Sequence, residues 1–209
     1  YLTSSLLILL RWTSAVLAIL LPAVFVAIAM YHQEMLPFKL ITSMIDAKQQ
    51  VPFSVAIEVL SMLVAFELLQ EAGIRLPNPV GDTVSIIGAL IVGQSAVEAR
   101  VVSPVAVIVV ATAGICGYAQ PSQDLGYALR MVRLMMVGLA IALGMYGIML
   151  ALALLIWHLC SIESFGVSYM APMSEEGFKG ALGALIQPPL WREKDRPARL
   201  RPRDTRRQK

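Results

Sequence analysis

Residues 5–30 read SLLILLRWTSAVLAILLPAVFVAIAM. A helix needs about 20 apolar residues to cross a bilayer, and this stretch exceeds that. Its one charge, Arg11, lies near the start, where a long side chain can carry its head group to the interface. Pro22 should kink the helix, which membrane helices tolerate when neighbours satisfy the freed backbone groups. Tyr31, His32, Gln33 and Glu34 form a polar exit. The stretch reads as a membrane span.

The whole chain has the same character. Of 209 residues, 57% are hydrophobic and 15% charged, and the mean hydropathy is +0.71. A soluble domain is roughly 45–50% apolar and about 25% charged. This composition excludes a disordered protein and a disulfide scaffold, and argues against a soluble globule. The expected fold is all-α: a polytopic transmembrane helix bundle of four to five spans with interfacial helices.

Four spans are placed at 5–30, 83–99, 103–119 and 134–159. LPFKLITSMIDAKQQ, residues 36–50, alternates at helical spacing and reads as an interfacial amphipathic helix. Residues 54–72 have helical period but carry Glu58, Glu67 and Glu71, which are expensive in hydrocarbon. That segment reads as re-entrant, interfacial or a fifth span. Gly73 to Gly81, with Pro77 and Pro79, reads as a break, and Asp82 or Thr83 as the next cap. Residues 178–185 read as a surface helix. The transmembrane domain is thus 1–191, followed by a disordered tail, 192–209.

The tail holds nine of the 17 basic residues, and the body before it is slightly acidic. A basic flank places the tail in the cytoplasm, in reach of anionic lipid heads. No aromatic platform or folded basic module accompanies it, so nucleic acid is not the expected partner. The chain does not begin with Met and opens almost directly into an apolar run, which reads as a fragment of a longer protein.

Enzyme signatures are missing. There is no phosphate loop, nucleophile elbow, zinc-binding HExxH or paired CxxC. His32 and His158 end separate segments, and Cys116 and Cys160 lack partners at ligand spacing. No catalytic activity, metal or cofactor is expected. The acidic residues have three readings: an ion pathway, structural pairing with Arg75, Arg100, Arg130 or Arg133, or plain solvation. Residues 83–99 add small residues that let membrane helices approach closely. There Gln94 and Glu98 share a face at i, i+4.

The chain also resembles a known family. FELLQEAGIRLPNPVGDTVSIIGALIVGQSAVEARVVSPVAVIVV (66–110) and LLPAVFVAIAMYHQEMLPFKL (20–40) carry the resemblance. Pro121, Leu125-Gly126, Leu129-Arg130, Arg133, Ser164-Phe165-Gly166, Tyr169 and Pro172 add to it. Together they resemble the A subunit of the GerA-type spore germination receptors. The family pattern commonly has Arg where Gln70 stands and Pro where Ser168 stands, and Cys116-Gly117-Tyr118 is atypical before Pro121. Loss of that Arg puts in doubt any family salt bridge to Glu67 or Glu71.

The resemblance implies a membrane subunit of a nutrient-responsive receptor in the inner spore membrane of an endospore-forming bacterium. A transporter-like B subunit and a lipoprotein C subunit would be its partners. Copies of the A subunit would form a homo-oligomer that conducts cations. On that reading Gln94, Ser95 and Glu98 are the first candidates to line the pore, with Glu67 and Glu71 second, as a gate. The competing readings are a solute transporter, or a non-conducting scaffold between a nutrient sensor and a downstream channel.

Overall fold

The computed structural model describes residues 2–75, 88, 91–164 and 166–170. They are helical apart from turns and one short hairpin. Helix α1 (Leu2–Tyr31) runs on through Pro22. A 3-10 turn, Gln33–Met35, leads to α2 (Phe38–Gln49), and α3 follows (Val55–Arg75). A helical stretch 91–98 is α4. Then come α5 (Pro104–Tyr118), α6 (Gln123–Leu143) and α7 (Met145–Ser161). Strands β1 (Glu163–Ser164) and β2 (Val167–Ser168) pair antiparallel.

The chain divides into two compact units, 14–152 and the remainder, 1–13 with 153–209. In the described part of the second unit, Gly166 turns the hairpin at φ 74°, and the Tyr169 N–H donates to the Ile162 carbonyl. In the first unit α3 packs chiefly on α5 and also meets α6, while α5 meets α6 and α2. Their contacts bury Val59, Leu63, Val102, Ala106, Val110, Ala113, Met136, Val137 and Ala140. Small residues on α5 set the spacing. At Gly114 a methyl group would lie 2.3 Å from the Phe66 ring.

The spans differ from the sequence expectation. Among the described residues two helices are long and apolar enough to cross a membrane, Thr3–Tyr31 and Gln123–Leu143. Helix α5, with 15 residues, and α7, with 17, rise about 22 and 26 Å, short of a ~30 Å hydrocarbon core. The expected run 134–159 is two helices. It starts earlier, at Gln123, where the Ser122 hydroxyl accepts the Leu125 N–H. It stops at Gly144, whose φ of 61° and ψ of −136° suit glycine almost alone.

The break frees α6 carbonyls, and the Tyr31 hydroxyl donates to one of them, Ile141 O, at 2.6 Å. Residues 54–72 form one continuous helix that extends through Gly73 to Arg75. Residues 83–87, 89–90, the expected cap at Asp82 or Thr83, the break at Pro77–Gly81, the helix at 178–185 and the tail lie outside the described residues.

Candidate functional site

Helix α4 carries Gln94, Ser95 and Glu98, all three exposed. Gln94 Nε2 donates to Glu98 Oε1 at 2.9 Å, so the two side chains act as one polar patch. Behind them Gly93 is buried, with Val107 of α5 3.4 Å from where a methyl would sit. That close approach turns the polar patch outward.

The end of α4 is a Schellman motif. Val101 N–H donates to Ala96 O and Arg100 N–H to Val97 O, both at 2.9 Å. The residue in the left-handed position is Arg100, at φ 56°. Arg100 is exposed and makes no ion pair among the described residues; its backbone stops the helix. Three residues on, the Ser103 hydroxyl accepts the Ala106 N–H at 3.3 Å, and Pro104 follows as the first helical residue of α5.

Glu58 holds this turn from below. Its Oε2 accepts the Ser103 N–H at 2.9 Å across 45 residues of chain. The side chain is 1% exposed, and Oε1 has no partner among the described residues. A capping box joins a Glu and a cap residue within one helix; here the Glu comes from α3, near the positive end of the α5 dipole. The sequence marked Glu58 only as an unexplained acid, while Ser103-Pro104 marked the helix start without its partner.

Glu58→Ala strands a buried N–H, which costs about 1–3 kcal/mol. Glu58→Gln keeps an acceptor and should cost less. Thermal unfolding in detergent should rank wild type, Gln and Ala in that order. Equal Tm values for Ala and wild type would mean the bond carries nothing.

Glu67 is clamped by α6. Arg133 Nη2 donates to its Oε1, and Arg130 Nη1 lies 3.5 Å from its Oε2. The arginines sit one turn apart, at i and i+3, on one face. Arg133 is buried to 3% exposure, with Nε unpartnered. Arg130 lies over the Tyr127 ring at 5.1 Å, a cation–π distance. Two guanidinium groups meet the one Glu67 carboxylate. So compensated, the Glu67 carboxylate is a poor attractor for a cation.

Neighbouring Gln70 is buried, with Oε1 unpartnered, and Glu71 is half-buried. The counter-charges of Glu67 therefore come from α6, whatever stands at position 70. The Arg75 side chain lies outside the described residues. His158 and Cys160 are exposed, and the described residues hold no group of three or more His, Cys, Asp or Glu placed to bind a metal ion.

A family described as "Bacillus/Clostridium GerA spore germination protein" matches residues 1–199. The chain is similar to spore germination protein KA of Bacillus subtilis, 41% identical over 192 residues, covering 92% of this chain and 35% of that protein. It is similar to spore germination protein GerLA of Bacillus cereus, 39% identical over 196 residues, 94% and 40% covered. An uncharacterized membrane protein, YfkQ of Bacillus subtilis, is 40% identical over 197 residues, 94% and 38% covered. The chain thus spans somewhat over a third of the length of these relatives. No solved structure matches.

Proposed function

The chain belongs to the Bacillus/Clostridium GerA spore germination protein family, and we propose from this that it is the membrane part of a nutrient-responsive receptor subunit that oligomerises into a cation-conducting pore. The observation that carries the proposal is the outward-facing Gln94–Glu98 pair on α4, with Ser95 beside it. Four or five spans from one chain are too few to enclose a wide pathway. Several copies, each contributing α4, would turn this patch into a ring. Acidic rings favour cations, and the small Gly93 lets α4 pack closely on α5 within each copy.

The subunit would sit in the inner spore membrane with its basic tail in the cytoplasm. A transporter-like B subunit and a lipoprotein C subunit would complete the receptor. Of the acidic candidates, Glu98 is favoured over Glu67, whose charge is already compensated by Arg130 and Arg133. The same inward ties favour the second reading, a non-conducting scaffold, if α4 proves to face no pathway.

The test is nutrient-dependent potassium flux from vesicles carrying the full-length subunit with its B and C partners. Glu98→Gln is expected to reduce flux severalfold and weaken the preference for cations. Unchanged flux and preference in both Glu98→Gln and Gln94→Ala would remove α4 from the pore. No flux from an assembled complex would favour the scaffold.

A further inference from the structure

Helix α3 is inside out. Its acidic and amide side chains turn toward the protein: Glu58 and Gln70 are buried, and Glu67 is clamped by α6. Its outward face carries Ile57, Leu60, Val64 and Leu68, between 42 and 66% exposed. Their spacing of three, four and four residues makes one stripe along the helix. A helix facing water has the reverse arrangement, with charges outward.

We propose that this stripe contacts the acyl chains of the bilayer and that α3 crosses the membrane, although its three carboxyl groups hide it from hydropathy. Three observations choose lipid over water or a second protein surface. The helix has 21 residues, a rise of about 31 Å, which matches a ~30 Å hydrocarbon core.

The stripe is bulky, whereas membrane helices that pack on each other present small residues. Helix α5, packed against α3, follows that rule: Ala106, Ala113 and Gly114 are buried, while Ile108 and Ile115 are exposed. Finally, hydroxyl groups on the two helices bond back to their own backbone. Ser61 donates to Glu58 O at 3.0 Å and Thr112 to Ile108 O at 2.7 Å. Such internal bonds leave these hydroxyl groups satisfied without water, as hydrocarbon requires.

Two of the three carboxyl groups then have an inward task. Glu58 caps α5 and Glu67 ties α6. The inference stands apart from the pore reading and holds whether or not α4 lines a channel.

The test is spin labelling of single cysteines at Ile57, Leu60, Val64 and Leu68. It uses the full-length subunit in phosphatidylcholine–phosphatidylglycerol vesicles, with Cys116→Ala and Cys160→Ser as background. Val59→Cys, on the buried face, is the control. The stripe should admit oxygen and exclude a water-soluble nickel chelate, with the greatest depth at Val64, near the middle of α3. Nickel access would mean a solvated face and overturn the proposal. Exclusion of both reagents would mean a covering protein surface and overturn it too. Equal depth at all four positions would mean a helix lying in the interface, and no crossing.

Discussion

Glu67→Ala is expected to destabilise the helical unit by about 3 kcal/mol. Removing one member of a buried pair costs about 3–5 kcal/mol because the other is left charged and unpaired. Glu67 is about one-fifth exposed, which places the expectation at the lower end. The large term is the fate of Arg133, 3% exposed and already with one unpartnered nitrogen.

Arg130 behaves differently. Its contact with Glu67 is longer, it is itself about one-fifth exposed, and it rests on Tyr127. Arg130→Ala should cost no more than about 1 kcal/mol, the range of exposed pairs. Denaturant unfolding in detergent would measure both. Replacing both partners, Glu67→Ala with Arg133→Met, should recover part of the loss, since no buried charge then stands alone. No recovery would mean that Glu67 acts through something other than Arg133.

Gly147→Ala is the second large effect. A methyl there would lie 2.0 Å from the Leu139 carbonyl oxygen and 2.5 Å from its carbon. These are backbone atoms, so no side chain can swing away, and the turn from α6 to α7 must open. Overpacking typically costs about 1–3 kcal/mol, and the upper end is expected here. Opening the turn would also disturb Tyr31, whose ring meets Gly144 and whose hydroxyl holds Ile141 O.

Gly138→Ala is the control. It sits inside α6 with nothing within 4 Å of the added methyl, so helix propensity should make it neutral or stabilising by up to ~1 kcal/mol. Thermal unfolding of the two variants should therefore move in opposite directions or diverge by several degrees. Equal Tm values would mean that the α6–α7 turn adapts freely.

Several elements were legible because their cause is local. Ser103-Pro104 announced α5 through cap chemistry and the fixed φ of proline. The residue run 5–30 announced α1 by length and hydropathy alone. Gln94 and Glu98 could be paired on paper because four residues make about one helical turn. The run 134–159 misled for an equally physical reason. Hydropathy counts apolar residues and is blind to φ, so the glycine that ends α6 looked like one more small residue in an apolar stretch. Arg130 and Arg133 were legible as candidate partners for the acidic residues, but not which carboxylate they meet, because Glu67 stands more than 60 residues earlier.

The all-helical class of the molecule, most of its helices and its family resemblance were present in the order of residues, since composition, period and motif are properties of neighbours along the chain. The destinations of the polar side chains were not. Glu58 to Ser103, Glu67 to Arg133 and Tyr31 to Ile141 join groups 45, 66 and 110 residues apart. Burial makes those bonds matter, because a buried polar group has no water to fall back on. No periodicity along the chain records which distant group replaces that water; the packing of α3 against α5 and α6 chooses it.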